Sequence, residues 1–152
     1  MSFNKLTWGV KASFRSYVEA AGGSIKLSDG AARAEDGSFV FIAVPGGDLT
    51  ISPDGSATGA MRFQGTVMFD AHGGMLNATL AELGLEAASE GLVLTALEAP
   101  LNQDRCTIAT LGLIESAPDD GIRLTAEITV DGMYQIADNY PPGTELDLLQ
   151  LV

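Results

Sequence analysis

MLNATLAELGLEAASEGLVLTALEAP, residues 75–100, supports two readings. Leucine, alanine and glutamate favour helix, yet Leu76, Thr79 and Leu80 settle on neither the helical nor the strand period. Gly84 and Gly91 break the run at intervals that suit turns. Three short strands separated at those glycines fit the rhythm of the neighbouring sequence better than one helix, which stays the lesser alternative.

Upstream of it, SIKLS (24–28), SFVFIAV (38–44), DLTIS (48–52), GAMRFQG (59–65) and TVMFDA (66–71) alternate or carry β-branched residues. Gly, Asp, Asn or Pro bounds each of them, with GGD, PDG and HGG as turn signals, so they read as hairpins. Downstream, RCTIATLGLI (105–114) and IRLTAEITV (122–130) read as further strands. A short irregular or helical piece, a Pro141-Pro142-Gly143 turn and a last extended segment follow. One helix is expected early, over about Lys11–Ala21. Val10, Phe14, Tyr17, Val18 and Ala21 recur at helical spacing, and Gly22-Gly23 provide a left-handed stop. On that helix Ser13, Phe14, Tyr17 and Val18 share a face, which turns Tyr17 inward or into a cleft. The expected fold class is mainly β: an antiparallel β-sandwich or curled sheet with one early α-helix and a short helical piece, forming a single domain over residues 1–152.

Twenty acidic against eight basic residues give a net charge of −12, which repels nucleic acid and anionic lipid surfaces. The charge is uneven. Residues 1–33 hold five basic and two acidic side chains, a net of +3, and the remainder holds three against eighteen, a net of −15. That first segment either attracts an anionic small ligand or pairs with the acidic body. No apolar run is long enough for a signal peptide or a membrane span, FVFIAV (39–44) being the longest. Cytoplasmic localisation without membrane insertion is the expectation for the chain as written, and export the expectation if a leader has been removed. Cys106 is the single cysteine, so no internal disulfide forms, and it reads as a small buried hydrophobe.

Enzyme signatures are missing. PDGSATGAM (53–61) lacks the lysine of a phosphate-binding loop, and Gly55-Ser56-Ala57-Thr58-Gly59 sets its serine one position early for a nucleophile elbow. Asp119-Asp120, between Pro118 and Gly121, reads as a solvated turn, and no calcium loop is present. What remains is one histidine, His72, before two glycines where backbone can approach a ligand closely, together with Tyr17, Tyr134 and Tyr140. Taken singly, a loop histidine is more often structural, and a tyrosine more often sits at a core edge with its hydroxyl bonded.

Three stretches in order resemble one family. LTWGVKASFRSYVEAAGGSI (6–25), FQGTVMFDAHGGMLNATL (63–80) and YPPGTELDLLQLV (140–152) are similar to the HtaA family, the heme-transport-associated domain. The resemblance implies a non-enzymatic heme-binding β-sandwich in which Tyr17, on the first helix, ligates the ferric iron of heme b. It places His72 and Tyr140 as further polar residues of the pocket. Phe14 would pack on the porphyrin and Ser13 would donate to a propionate or a backbone oxygen. Ferric iron is a hard acid that prefers an anionic oxygen, and a phenol bound to it ionises far below its usual pKa of about 10. Such ligation suits carrying, buffering or relaying heme between a donor and an acceptor protein, and leaves open a homodimer that shares one heme. The alternatives are a β-sandwich interaction module that has lost heme and, third, a heme-dependent enzyme.

Overall fold

The computed structural model describes residues 4–52, 54, 56–71, 73, 76–89, 91–99, 102–117, 121–135 and 140–152. His72 and the Pro118–Asp120 turn lie outside these residues, as do Pro53, Gly55 and Gly74 of the expected turns. In chain order the elements are β1 (Lys5–Trp8), α1 (Ala12–Ala20), β2 (Ser24–Ser28), β3 (Ala32–Arg33), β4 (Phe39–Ala43), β5 (Thr50–Ile51), β6 (Ala57–Thr58), β7 (Ala60–Gln64) and β8 (Thr66–Ala71). There follow β9 (Leu76–Ala81), β10 (Gly84–Ala88), β11 (Gly91–Ala99), β12 (Asn102–Ala117), β13 (Gly121–Ile128), α2 (Val130–Gln135) and β14 (Glu145–Leu151). Residues 75–100 thus supply three strands, as the glycine punctuation implied. Their alternation is blurred for a physical reason. The consecutive residues Leu92–Leu97 of β11 are all buried, because β9 packs across a strand that already faces the core.

The expected sandwich or curled sheet curls to closure. β1 pairs antiparallel with β14 on one edge and with β4 on the other. This joins the ends of an eight-stranded ring, β1-β14-β13-β12-β11-β10-β7-β4, in which every neighbouring pair is antiparallel. The second edge of β4 is shared: Ile42 and Ala43 face Gln64 and Phe63 of β7, and Val40 and Phe39 face Ala32 and Arg33 of β3. Closure satisfies the backbone groups that an open sheet leaves at its edges. β13 shows the resulting alternation: Ile122, Leu124, Ala126 and Ile128 are buried, while Arg123 and Glu127 are exposed.

A separate three-stranded sheet, β2-β8-β9, branches from the barrel at Gly65. Gly65 has φ of +128°, and a Cβ there would lie 2.9 Å from both Ala31 and the Phe41 ring, so only glycine makes this corner. The barrel interior is filled by Leu6, Trp8, Phe39, Phe41, Phe63, Leu85, Leu94 and Ile108, each buried almost completely. Phe14 and Val18 of α1 meet Val67, Phe69 and Leu80 of the small sheet in the same continuous core. Cys106 is half-buried at its margin rather than sealed within it.

Candidate functional site at the first helix

One cap and one bulge set the position of α1. At its C-terminus Gly22 adopts φ of +76°, and the amides of Gly22 and Gly23 donate to the carbonyls of Glu19 (3.2 Å) and Val18 (2.9 Å). This is the Schellman arrangement, and it turns the chain directly into β2. At the other end the β14 alternation slips. Leu124 faces Leu149 but Ala126 faces Leu146, so one extra residue is accommodated around Asp147-Leu148. The bulge aims Asp147 at the helix. Arg15 Nη1 donates to Asp147 Oδ2 (2.9 Å) and to the carbonyl of Gly9 (2.7 Å), while Trp8 Nε1 donates to the Asp147 carbonyl (3.0 Å). Lys11 Nζ donates to the Glu145 carbonyl at 2.8 Å.

Those contacts show where part of the basic first segment is engaged. Arg15 pairs with Asp147, and Arg33 pairs with Glu19 at 2.8 Å while its guanidinium stands 5.6 Å from the Phe39 ring centre. Arg15 thus reaches the acidic body, while Arg33 and Glu19 both lie within residues 1–33 and Lys11 meets a backbone carbonyl.

The helix face divides more finely than its spacing suggested. Phe14 and Val18 are sealed at 1% and 0% exposure, whereas Ser13 is exposed and Tyr17 is 45% exposed. Tyr17 therefore looks outward, not into the core. Phe14 is buried against Phe69 (ring centres 5.0 Å apart, 65°) and Tyr140 (6.2 Å, 64°). Phe69 in turn meets Phe39 edge-on at 5.8 Å. Phe14, expected to pack on a porphyrin, is itself in edge contact with two neighbouring rings. It carries a ladder of edge-to-face contacts, Tyr140–Phe14–Phe69–Phe39, from the surface into the barrel.

At the outer end of that ladder Ser13 Oγ and the Tyr140 hydroxyl are 3.0 Å apart and hydrogen-bonded. Ser13 and Tyr17 are four residues apart on one helix, so their β-carbons are about 5–6 Å from one another. Three oxygen-bearing side chains, Ser13, Tyr17 and Tyr140, are thus brought to one surface above a fixed aromatic floor. The 127-residue separation of Ser13 from Tyr140 hides their pairing from any local pattern. His72 follows directly on Ala71, the end of β8, but lies outside the described residues. Tyr134 is 76% exposed on α2 and is no core-edge residue. Among the described residues no group of three or more His, Cys, Asp or Glu side chains is arranged to hold a metal ion.

The HtaA family model matches residues 4–152. The chain belongs to the HtaA family. The N-terminal domain of HtaA from Corynebacterium glutamicum is 27% identical, with a TM-score of 0.75 over 99% of this chain and 97% of that one. The C-terminal domain of the same HtaA is 26% identical, with a TM-score of 0.73 over 98% of this chain and 95% of that one. The heme-binding protein HtaB from the same organism, 17% identical, shares the fold with a TM-score of 0.67 over 98% of this chain and 91% of its own. The curated proteins give no match. As an HtaA domain, the chain places the segments that carried the resemblance at β1–α1, β7–β9 and β14, and the structure gathers the first and last of them around α1.

Proposed function

We propose that this HtaA domain binds ferric heme b through the phenolate of Tyr17 and carries or relays it without transforming it. The observation that carries the reading is the division of α1: Phe14 and Val18 anchor the helix, while Tyr17 is left 45% exposed beside the Ser13–Tyr140 pair. A ligating oxygen has to be reachable, and the helix has to be rigid enough to hold it. The Schellman stop and the Arg15–Asp147 pair meet the second requirement. Ser13 and Tyr140 are suited to receive a propionate or to orient the Tyr17 oxygen, and His72 is assigned to the same pocket as its neighbour. Membership of the family supports the heme assignment, and a heme-binding protein of the same fold agrees with it. A lone tyrosinate favours Fe(III), so reduction of the iron or protonation of the phenolate would release the heme to an acceptor.

A hemin titration read by absorbance tests this. Wild type is expected to give a saturable high-spin ferric tyrosinate spectrum, and Tyr17→Ala to abolish it. An unchanged spectrum in the variant would reject Tyr17 as the ligand. Hemin uptake no better than that of an unrelated acidic protein would leave the scaffold as an interaction module.

A further inference from the structure

The chain has twenty acidic and eight basic side chains, yet two of those eight, Arg62 and Arg105, line one cleft away from α1. The cleft lies where the outer face of the barrel meets the outer face of the small sheet, at the Gly65 corner. It measures about 650 Å³, within the usual range of roughly 300–1,000 Å³ for small-molecule sites. Its walls are largely apolar, with Val44 and Met68 39% and 43% exposed and Ala81 and Leu97 completing them.

Arg105 is held in place rather than left to wander. Its Nε and Nη2 donate to Thr95 Oγ1 at 3.3 and 3.0 Å, and Nη2 also donates to the Glu82 carbonyl. Thr95 is only 3% exposed, so this anchor is built into the barrel wall. Gly84 makes room for it: a Cβ there would stand 2.9 Å from Arg105 Nη2 and 3.1 Å from Arg62 Cδ. Burial, and then the neighbouring positive charge of Arg62, lower the pKa of Arg105, with Glu82 and Glu86 opposing them. Among the described residues neither arginine makes a salt bridge with a carboxylate. The two acidic side chains lining the cleft are Asp29, which accepts from Thr66 Oγ1 at 2.8 Å, and Glu82. Glu82 and Glu86 offset part of the repulsion between the two guanidinium groups, and an anion held between them would offset more of it.

We infer that this cleft binds an amphiphilic monocarboxylate, its acid group held between Arg62 and Arg105 and its apolar body lying along Met68, Val44, Ala81 and Leu97. Guanidinium groups match a carboxylate with paired donors, and the apolar wall excludes water beside them. The site is separate from Tyr17 and stands whether or not heme binds there.

The probe is dodecanoate, followed by its displacement of 1-anilinonaphthalene-8-sulfonate fluorescence from the folded full chain. Saturable displacement is expected, with affinity falling roughly tenfold in Arg62→Gln, as befits loss of one charge-assisted contact. Met68→Glu, which sets a negative charge on the apolar wall, is expected to weaken it at least as much. Arg123→Gln, on β13 outside the cleft, and Tyr17→Phe are expected to bind as wild type does. Dodecyltrimethylammonium, with the same chain and the opposite charge, is expected not to compete. Arg105→Gln is not needed for the test, so a folding defect there leaves it intact. No saturable displacement by dodecanoate, equal affinity in Arg62→Gln, or equal competition by the cation would each overturn the proposal.

Discussion

Tyr17 and Val18 are consecutive residues with opposite fates, one 45% exposed and the other sealed at 0%. Neighbours on a helix project about 100° apart, so the boundary between core and solvent runs between them. The phenol therefore adds little to stability, and Tyr17→Ala is expected to shift the unfolding free energy by less than about 1 kcal/mol while removing hemin binding. Urea unfolding alongside the titration separates a lost ligand from a lost fold. A second residue-scale effect belongs to Asp36. Its carboxylate accepts from the Ser38 hydroxyl at 2.5 Å and the Ser38 amide at 2.9 Å. These bonds, the hydroxyl's first, hold its pKa below the ordinary carboxylate value, with Arg15 helping from further off. A depressed pKa stabilises the folded state above the unfolded value near 4, and the gain is lost as pH falls through the folded value. Wild type is thus expected to be modestly more stable than Asp36→Asn at pH 7, with the gap closing below about pH 4 in parallel melts.

The turn after α1 is an element whose two glycines do different work. Gly22 needs its positive φ, but an added methyl would meet nothing within 4 Å, so Gly22→Ala is expected to cost about 1 kcal/mol. A Cβ on Gly23 would stand 2.1 Å from the Asp70 carbonyl oxygen and 2.8 Å from that of Val18. Backbone on both sides cannot yield without moving the helix off β8, so Gly23→Ala is expected to cost at least about 2 kcal/mol. Thermal melts of the two variants should rank them in that order. The glycine pair was legible in the sequence as a helix stop, and the strands were legible from turn residues and alternation, even across the leucine- and alanine-rich residues 75–100. β1 was not, because four residues show too little period to be distinguished from a loop. Nor was the Asp147 bulge, which exists only as a mismatch between partners. At the site, Tyr17 and Tyr140 came from a family pattern, and Ser13 from the helical spacing that sets it on the Tyr17 face. That Phe14 is sealed follows from long-range packing against Phe69, which no local signal encodes. The Arg62–Arg105 cleft escaped notice for the same reason, since it is a property of the corner between two sheets.

Over the whole molecule, the unforeseen β1 is the piece that turns a curled sheet into a barrel. Leu6 lies opposite both Leu151 and Phe41 and is fully buried. Leu6→Ala is expected to cost about 2–5 kcal/mol, as deletion of a core leucine does, and to loosen both seams of the ring together. Hydrogen exchange should show the loss in β4 and β14 alike; protection lost in one strand alone would contradict joint closure. Pairings that span most of the chain make folding slow, on the millisecond-to-second scale of non-local β proteins. The same seam places the amide of Asn4 2.6 Å from the carbonyl of Val152, and the amide of Val152 3.1 Å from the carbonyl of Lys5. Head and tail are thus stitched side by side, so a short peptide linker could join residues 152 and 4 into a circle. New termini cut at the exposed Pro45-Gly46 turn would then yield a rearranged chain that folds to the same barrel. Its circular dichroism and hemin spectrum should overlay those of the parent.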